Sequence, residues 1–410
     1  KEVLEMNGPL GGTRILACEQ AIAGPYGSML LGDLGAAVLR IEAPEGEMSR
    51  NFAGPQNNGL NYYYLCFNRN KKSLVLDLGT ELGKEAFYDL VKVSDVVWDN
   101  YRPGVMKRLG IDYNTLKNIN PKIITCSITG YGPSGPYVDY PSYDIIAQGL
   151  SGLMSINGEP DGPPLKVGIA IGDLGPSMFG ALAVAAALVQ KEKTGKGQEI
   201  YIPQLDSLIS LLAYQMSYYF CSGGVPKRLG SGHLSVIPYG AYETKKGYIT
   251  LGVCWPRVAR TVGADWMIDD PRFATQDARW KHREEFEAVF REQLMKAEAK
   301  DWVELFRVDD IPGGMVKAID EVAEDSQVKH NKATISLKHP LGGEIKLAGN
   351  PMKMPGTIDE EEYSAPPLLD QHTDEILSEL LGWPKEKIER KEAQEKKHAE
   401  ELSAHIHKQI

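Results

Sequence analysis

Among the side chains able to act as nucleophiles, Asp173 has the most telling setting: Val167-Gly-Ile-Ala-Ile-Gly-Asp173-Leu-Gly-Pro-Ser-Met-Phe-Gly180. The carboxylate follows an apolar stretch, with Gly172 before it and Gly175 two residues on. A small-residue segment from Pro176 to Val189 then reads as a helix. The plain reading of such an aspartate is an N-cap that accepts from the first free N–H groups, with Pro176 in the first turn. The chemical reading is a nucleophile with little bulk around it, open to a large carbonyl compound. With an ordinary pKa near ~3.9 it is ionised at neutral pH and needs no partner base. The glycines beside it leave room for a bulky substrate.

Other chemistries find little support. The run Gly130-Tyr-Gly132-Pro-Ser-Gly135 matches the dinucleotide spacing, but Pro136 and Pro141 bracket an extended loop where a helix should open. The first strand–helix turn, Ala23-Gly24-Pro25-Tyr26-Gly27, lacks the fingerprint; Glu42 alone stands where a ribose-binding acid belongs. No G-x-S-x-G, H-E-x-x-H or P-loop occurs. Cys18, Cys66, Cys126, Cys221 and Cys254 are scattered, and neither they nor His398, His405 and His407 complete a metal-ligand spacing. His233, in Gly230-Ser-Gly-His-Leu234, reads as an exposed loop residue. A net charge of −10 argues against nucleic acid as partner. Residues 1–8 show no apolar signal core, and the apolar run Met178 to Val189 is short for a bilayer, so a cytoplasmic protein without a membrane partner is expected.

The elements that must position Asp173 follow from periodicity. Strands are expected at Arg14–Cys18, Ala36–Ile41, Ser73–Leu78, Val93–Trp98, Lys122–Ile128 and Gln198–Ile202. Helices fall at Gly24–Leu34, Glu81–Val91, Thr115–Asn118 and Leu205–Phe220. Short β-branched runs joined by helices indicate an α/β, doubly wound parallel sheet. The chain becomes glycine-rich around Cys221 to Ser235, an exit to a second domain. A hairpin (Ala241–Thr244, Tyr248–Val253), helices at Arg257–Val262 and His282–Ala297, and a charged helix over Lys385–Ile410 come after it. Two basic clusters, Arg69-Asn-Lys71-Lys72 and Arg102 to Arg108, stand out on this acidic chain and suit an anionic small molecule.

Several stretches taken together resemble one family. They are Ala23-Gly-Pro25, Leu31-Gly-Asp-Leu-Gly-Ala36, Asn68-Arg-Asn-Lys-Lys-Ser73, Asn100-Tyr-Arg-Pro-Gly104, Gly130 to Pro136, Tyr143-Asp144, Gly172-Asp173, Thr194 to Gln198 and Leu368 to Asp374. In this order they resemble the class III CoA-transferases, over about residues 10 to 385. The resemblance implies an interlocked dimer. A Rossmann-like large domain would come from residues 1–225 and 335–410, and a smaller α+β domain from 226–334. Asp173 would be the acylated residue, with Tyr143, Asp144 and Gln20 near the thioester and Gly230 and Gly232 in a mobile loop over the site. Asn100 and Arg108 would contact CoA, with Arg40, Arg69, Lys71 and Lys72 as further phosphate partners. No metal and no permanent cofactor are implied; a CoA thioester is the substrate.

The family's chemistry moves CoA between two carboxylic acids through a mixed anhydride and an aspartyl-CoA thioester. Backbone N–H groups of the glycine loop would stabilise the oxyanions. This chain departs from the pattern in two places. Ile22 stands where some members have an orienting glutamine, with Gln20 two residues earlier. Ala43 replaces a phosphate-binding basic residue. The sister α-methylacyl-CoA racemases place a histidine base where Tyr143 stands, which argues against α-proton transfer. A structural subunit of a two-chain transferase is the other alternative, so the partner is a second copy or a homologous chain. For substrates the reading extends to succinyl-CoA as donor and a dicarboxylate such as benzylsuccinate as acceptor, since Tyr62, Tyr63, Tyr64, Tyr214, Tyr218 and Tyr219 suit an aromatic-tolerant site.

Overall fold

The structure, a computed structural model, describes residues 7–406. Among these, six parallel strands form the largest sheet: β1 Arg14–Cys18, β2 Ala37–Glu42, β3 Lys71–Val75, β4 Val96–Asp99, β5 Ile124–Thr129 and β6 Glu199–Pro203. Their order is β3-β2-β1-β4-β5-β6, so the chain reverses its direction of travel between β1 and β4. A loop following either strand is thereby directed to a crevice at the carboxyl edge, where open α/β sheets take their ligands.

The sheet is apolar on both faces because helices cover both. On one side lie α1 (Ala23–Asp33) and a long helix, Ile171–Thr194. On the other lies α2 (Glu81–Lys92), capped by the Thr80 hydroxyl on the Gly83 N–H, together with residues from the far end of the chain. Ile376, Leu377, Trp383 and Ile388 share the apolar cluster of Phe87 and Leu90. Lys391 Nζ donates to the Val75 carbonyl at 2.8 Å, which ties the C-terminal helix Lys385–Ile406 to the sheet. The expected residues 407–410 of that helix lie outside the described residues, as does His407.

Two compact units result. Among the described residues the first comprises 7–151, 168–212 and 330–406; the second comprises 152–167 and 213–329. Residues 152–167 and 213–225, expected in the large domain, thus fall in the second unit. The reason for the later break is local. The amphipathic run expected as one helix from Leu205 to Phe220 is two helices, Gln204–Leu212 and Tyr214–Ser222, interrupted at Ala213 with φ of +39°. In the second unit, strands Gly240–Glu243, Tyr248–Leu251 and Gly313–Met315 form an antiparallel sheet. Its core is aromatic, built on Tyr242, Phe273, Phe286, Phe290, Trp302 and Phe306.

Candidate active site

The first unit holds a cavity of about 470 Å³ at the carboxyl edge of β1, β4, β5 and β6. Gln20 to Ala23 reach it after β1, Asn100 to Pro103 after β4, Thr129 to Tyr131 after β5 and Gln204 after β6. Asp173 opens into it. The volume is that of a small-molecule site.

The helix carrying Asp173 is longer than expected, 24 residues from Ile171 to Thr194. We label it α4, after α3 (Asp144–Leu150). Its length and apolar composition would serve a bilayer span. Here Ser177, Gly180, Val184 and Leu188 are instead buried against α1 and the sheet. Trp98 on β4 dictates how closely the helices pack. A Cβ on Gly27 would lie 2.4 Å from its ring and one on Gly180 2.7 Å. The indole N–H donates to the Gly24 carbonyl at 3.0 Å, and Ser177 Oγ reaches the Ala23 carbonyl at 2.6 Å. These contacts fix the first turn of α4 relative to the loop after β1.

Asp173 is not the N-cap. The helix begins two residues earlier, with Ala170 as its uncapped flanking residue, so the aspartate sits inside the first turn. The capping is done from outside: Asp144 Oδ1 accepts the Gly172 N–H at 2.8 Å, while Gln148 Nε2 holds both Asp144 oxygens at 2.9 and 3.0 Å. Nor do the flanking glycines make room for substrate. A Cβ on Gly172 would lie 2.9 Å from Asp144, and one on Gly175 would lie 3.1 Å from Leu211 Cδ1. They admit protein neighbours.

The ionisation of Asp173 also departs from expectation. Burial raises its pKa, the nearby Asp144 carboxylate raises it further, and a hydrogen bond from Gln204 opposes both; it is pushed up to about 7. Gln204 Nε2 donates to Asp173 Oδ1 at 2.6 Å. The carboxylate is therefore only partly ionised at neutral pH and correspondingly basic when it is. Tyr63 belongs to the same surroundings. Its phenol is pushed up to about 12, first by burial and then by Asp173 and Asp144. Neither Gln204 nor the proximity of Tyr63 to Asp173 was visible in the sequence, which shows Gln204 only as a polar residue after Pro203 and Tyr63 only as one of a tyrosine run.

Tyr143 lines the cavity, two-thirds exposed, at the residue preceding α3. Gln20 lines it too, and the Asn100 amide clamps the Gln20 backbone: Oδ1 accepts its N–H at 2.8 Å and Nδ2 donates to its carbonyl at 3.0 Å. Gly230 and Gly232 belong to the second unit. Within it their N–H groups donate to the carbonyls of Gly158 (3.0 Å) and Leu229 (2.9 Å).

The basic residues divide sharply. Arg40 is fully buried among Glu19, Glu42 and Glu47 and donates to Asn68. Arg69 makes a bidentate pair with Asp33 at 2.6 and 2.9 Å, and Lys71 is buried on Glu19 at 2.7 Å, its pKa lowered by burial to about 8. Buried and paired inside the first unit, these three do not present charge to a phosphate, contrary to the sequence expectation. Lys72 pairs with Glu375 at 2.7 Å and is partly exposed. Arg102, Lys107 and Arg108 are exposed, and none has an ion-pair partner among the described residues. Arg102 lies on the cavity wall. No cluster of potential metal ligands occurs among the described residues.

Comparison with known proteins decides what such a site belongs to. Residues 10–373 match the family described as CoA-transferase family III. The chain belongs to CoA-transferase family III. It is 36% identical over 383 residues to a succinate–glutarate CoA-transferase of Agrobacterium fabrum, covering 91% of this chain and 96% of that one. It is 35% identical over 387 residues to a mouse succinyl-CoA:glutarate CoA-transferase, covering 93% and 88%. The crystal structure of a CAIB/BAIF family protein from Brucella suis superposes with a TM-score of 0.82 at 32% identity, covering 92% of this chain and all of that one. As a family III transferase the enzyme acts on a CoA thioester, and its cavity presents the Asp173 carboxylate together with Tyr131, Tyr140 and Tyr143.

Proposed function

We propose that the enzyme moves CoA from succinyl-CoA to a second dicarboxylic acid by covalent chemistry on Asp173. The observation that carries this reading is a carboxylate at the mouth of α4, raised toward neutrality, facing a cavity able to hold the acyl end of a thioester. Ionised Asp173 attacks the thioester carbonyl and the CoA thiolate leaves, giving a mixed anhydride. The thiolate then attacks the Asp173 carbonyl carbon and expels the donor acid as its carboxylate. The acceptor carboxylate attacks the resulting aspartyl-CoA thioester, and the steps run in reverse to the new thioester. The Agrobacterium and mouse relatives, named for succinate or succinyl-CoA and glutarate, support the donor and a dicarboxylate acceptor. Tyr131, Tyr140 and Tyr143 on the cavity wall support tolerance of an aryl-bearing acid such as benzylsuccinate. Arg102 and Arg108 are the cations we assign to the CoA phosphates.

We further propose that the enzyme works as a dimer, with itself or with a homologous chain. Met178, Leu182 and Val189 lie exposed along one side of α4, the helix of the nucleophile, an apolar stripe suited to a second protein surface. The deciding experiment offers succinyl-CoA with glutarate, benzylsuccinate, oxalate and monocarboxylates, following new thioesters by mass. Dicarboxylates should be converted at least tenfold faster than monocarboxylates; equal rates would contradict the substrate assignment.

A further inference from the structure

Resting on the covalent reading of Asp173, we propose that Gln204 is the donor that stabilises the oxyanion whenever the Asp173 carbonyl carbon is attacked. Gln204 opens the helix Gln204–Leu212 directly after β6, and it is 6% exposed. The neighbouring Leu205 N–H is bonded to the Gly130 carbonyl at 3.1 Å, which anchors this junction to the loop after β5. Among the described residues it is the one side chain that donates to the Asp173 carboxylate, and it holds Oδ1 at 2.6 Å. The two oxygens are thus unequal. Oδ2 is the one left to attack the acyl carbon, and Oδ1 becomes the carbonyl oxygen of the anhydride.

Two of the four chemical steps occur at the Asp173 carbonyl carbon. In one, the thiolate forms the C–S bond and the donor carboxylate leaves with the C–O electron pair. In the other, the acceptor carboxylate forms the C–O bond and the thiolate leaves with the C–S pair. Each passes through a tetrahedral species with its negative charge on the oxygen that Gln204 already holds. The donor is buried and positioned beforehand, the condition under which such a hydrogen bond acts mainly on the transition state. The glycine N–H groups expected in this role are engaged elsewhere: those of Gly230 and Gly232 bond within their own unit, and Ile22 offers no side-chain donor.

The test is single-turnover rapid quench with succinyl-CoA on wild type, Gln204→Met and Gln204→Glu, reading the mass of the Asp173 peptide. Methionine matches the length of glutamine but has no N–H donor. Formation of the aspartyl-CoA thioester in Gln204→Met should slow about 100- to 1000-fold, the usual cost of losing one oxyanion donor, with KM for succinyl-CoA within about threefold by the same reasoning. A thioester formed at the wild-type rate would overturn the assignment. So would a loss accounted for by weaker acyl-CoA binding alone. Should the methionine variant not fold, Gln204→Glu keeps the shape and adds a like charge beside Asp173. The acid limb of its kcat/KM profile should then move to higher pH, and an unmoved limb would overturn the assignment. Absence of any Asp173 adduct in wild type would instead refute the covalent reading itself.

Discussion

The raised pKa of Asp173 has a cost in stability that one substitution exposes. Its ordinary value is 3.8 and its folded value about 7, chiefly through burial and secondarily through Asp144. Below pH 4 the group is protonated in both states and contributes nothing. Between pH 4 and 7 the folded state binds more protons than the unfolded one, so stability falls as pH rises. Above pH 7 the full penalty persists. A displacement of about three units corresponds to about 4 kcal/mol at 1.36 kcal/mol per unit. Asp173→Asn keeps the shape and leaves Oδ1 to accept from Gln204, but it carries no charge at any pH. The variant should therefore be more stable than wild type, by a margin that widens by about 2–3 kcal/mol from pH 5 to pH 8. Urea denaturation of both proteins across that range, at equal protein concentration, measures this directly. A margin that does not change with pH, or a variant less stable at pH 8, would refute the assignment of a buried carboxylate that resists ionisation. Wild-type kcat/KM should show the matching acid limb near pH 7, since only the ionised form attacks.

Further outcomes follow from the rest of the site. Arg102→Ala and Arg108→Ala together should raise KM for acyl-CoA about tenfold or more with little change in kcat, measured by steady-state kinetics. Arg69→Met should instead lower stability by about 3–5 kcal/mol, because Asp33 is left buried and unpaired; a selective KM effect in a fully stable Arg69 variant would return that residue to the phosphate site. Gly180→Val drives a side chain into Trp98 and should cost about 1–3 kcal/mol, read as a lowered urea midpoint along with reduced turnover. With a chiral α-methylacyl-CoA in deuterated water and no acceptor acid, Tyr143 should support no α-deuterium uptake, by mass spectrometry; rapid uptake would restore the racemase alternative.

The sheet was legible because its strands are short β-branched runs, and β1 appears with the expected boundaries, Arg14 to Cys18. The order of the strands was not, since nothing in a strand's own residues says which neighbour it pairs with. Asp173 was legible as a residue worth singling out, and it does line the cavity, but its state was not: it owes its raised pKa to burial and to Asp144, 29 positions earlier. Within the basic cluster, Arg69 and Lys71 were misread for the same reason. Local charge looks like a binding patch until Asp33 and Glu19 are brought against it by folding. Gln204 left no signal at all, because an amide after a proline gains meaning only when the end of β6 meets the start of α4. The break at Ala213 was hidden by an amphipathic pattern that runs through it.

The central claim is that Asp173 carries the CoA in mid-reaction. Enzyme mixed with succinyl-CoA in the absence of acceptor, quenched and digested, should yield an Asp173 peptide heavier by the mass of a CoA thioester. Hydroxylamine should convert that adduct to a hydroxamate at the same residue, and a dicarboxylate acceptor added before the quench should remove it. An unmodified Asp173 peptide in enzyme that is turning over, or an adduct at any other residue, would contradict the account.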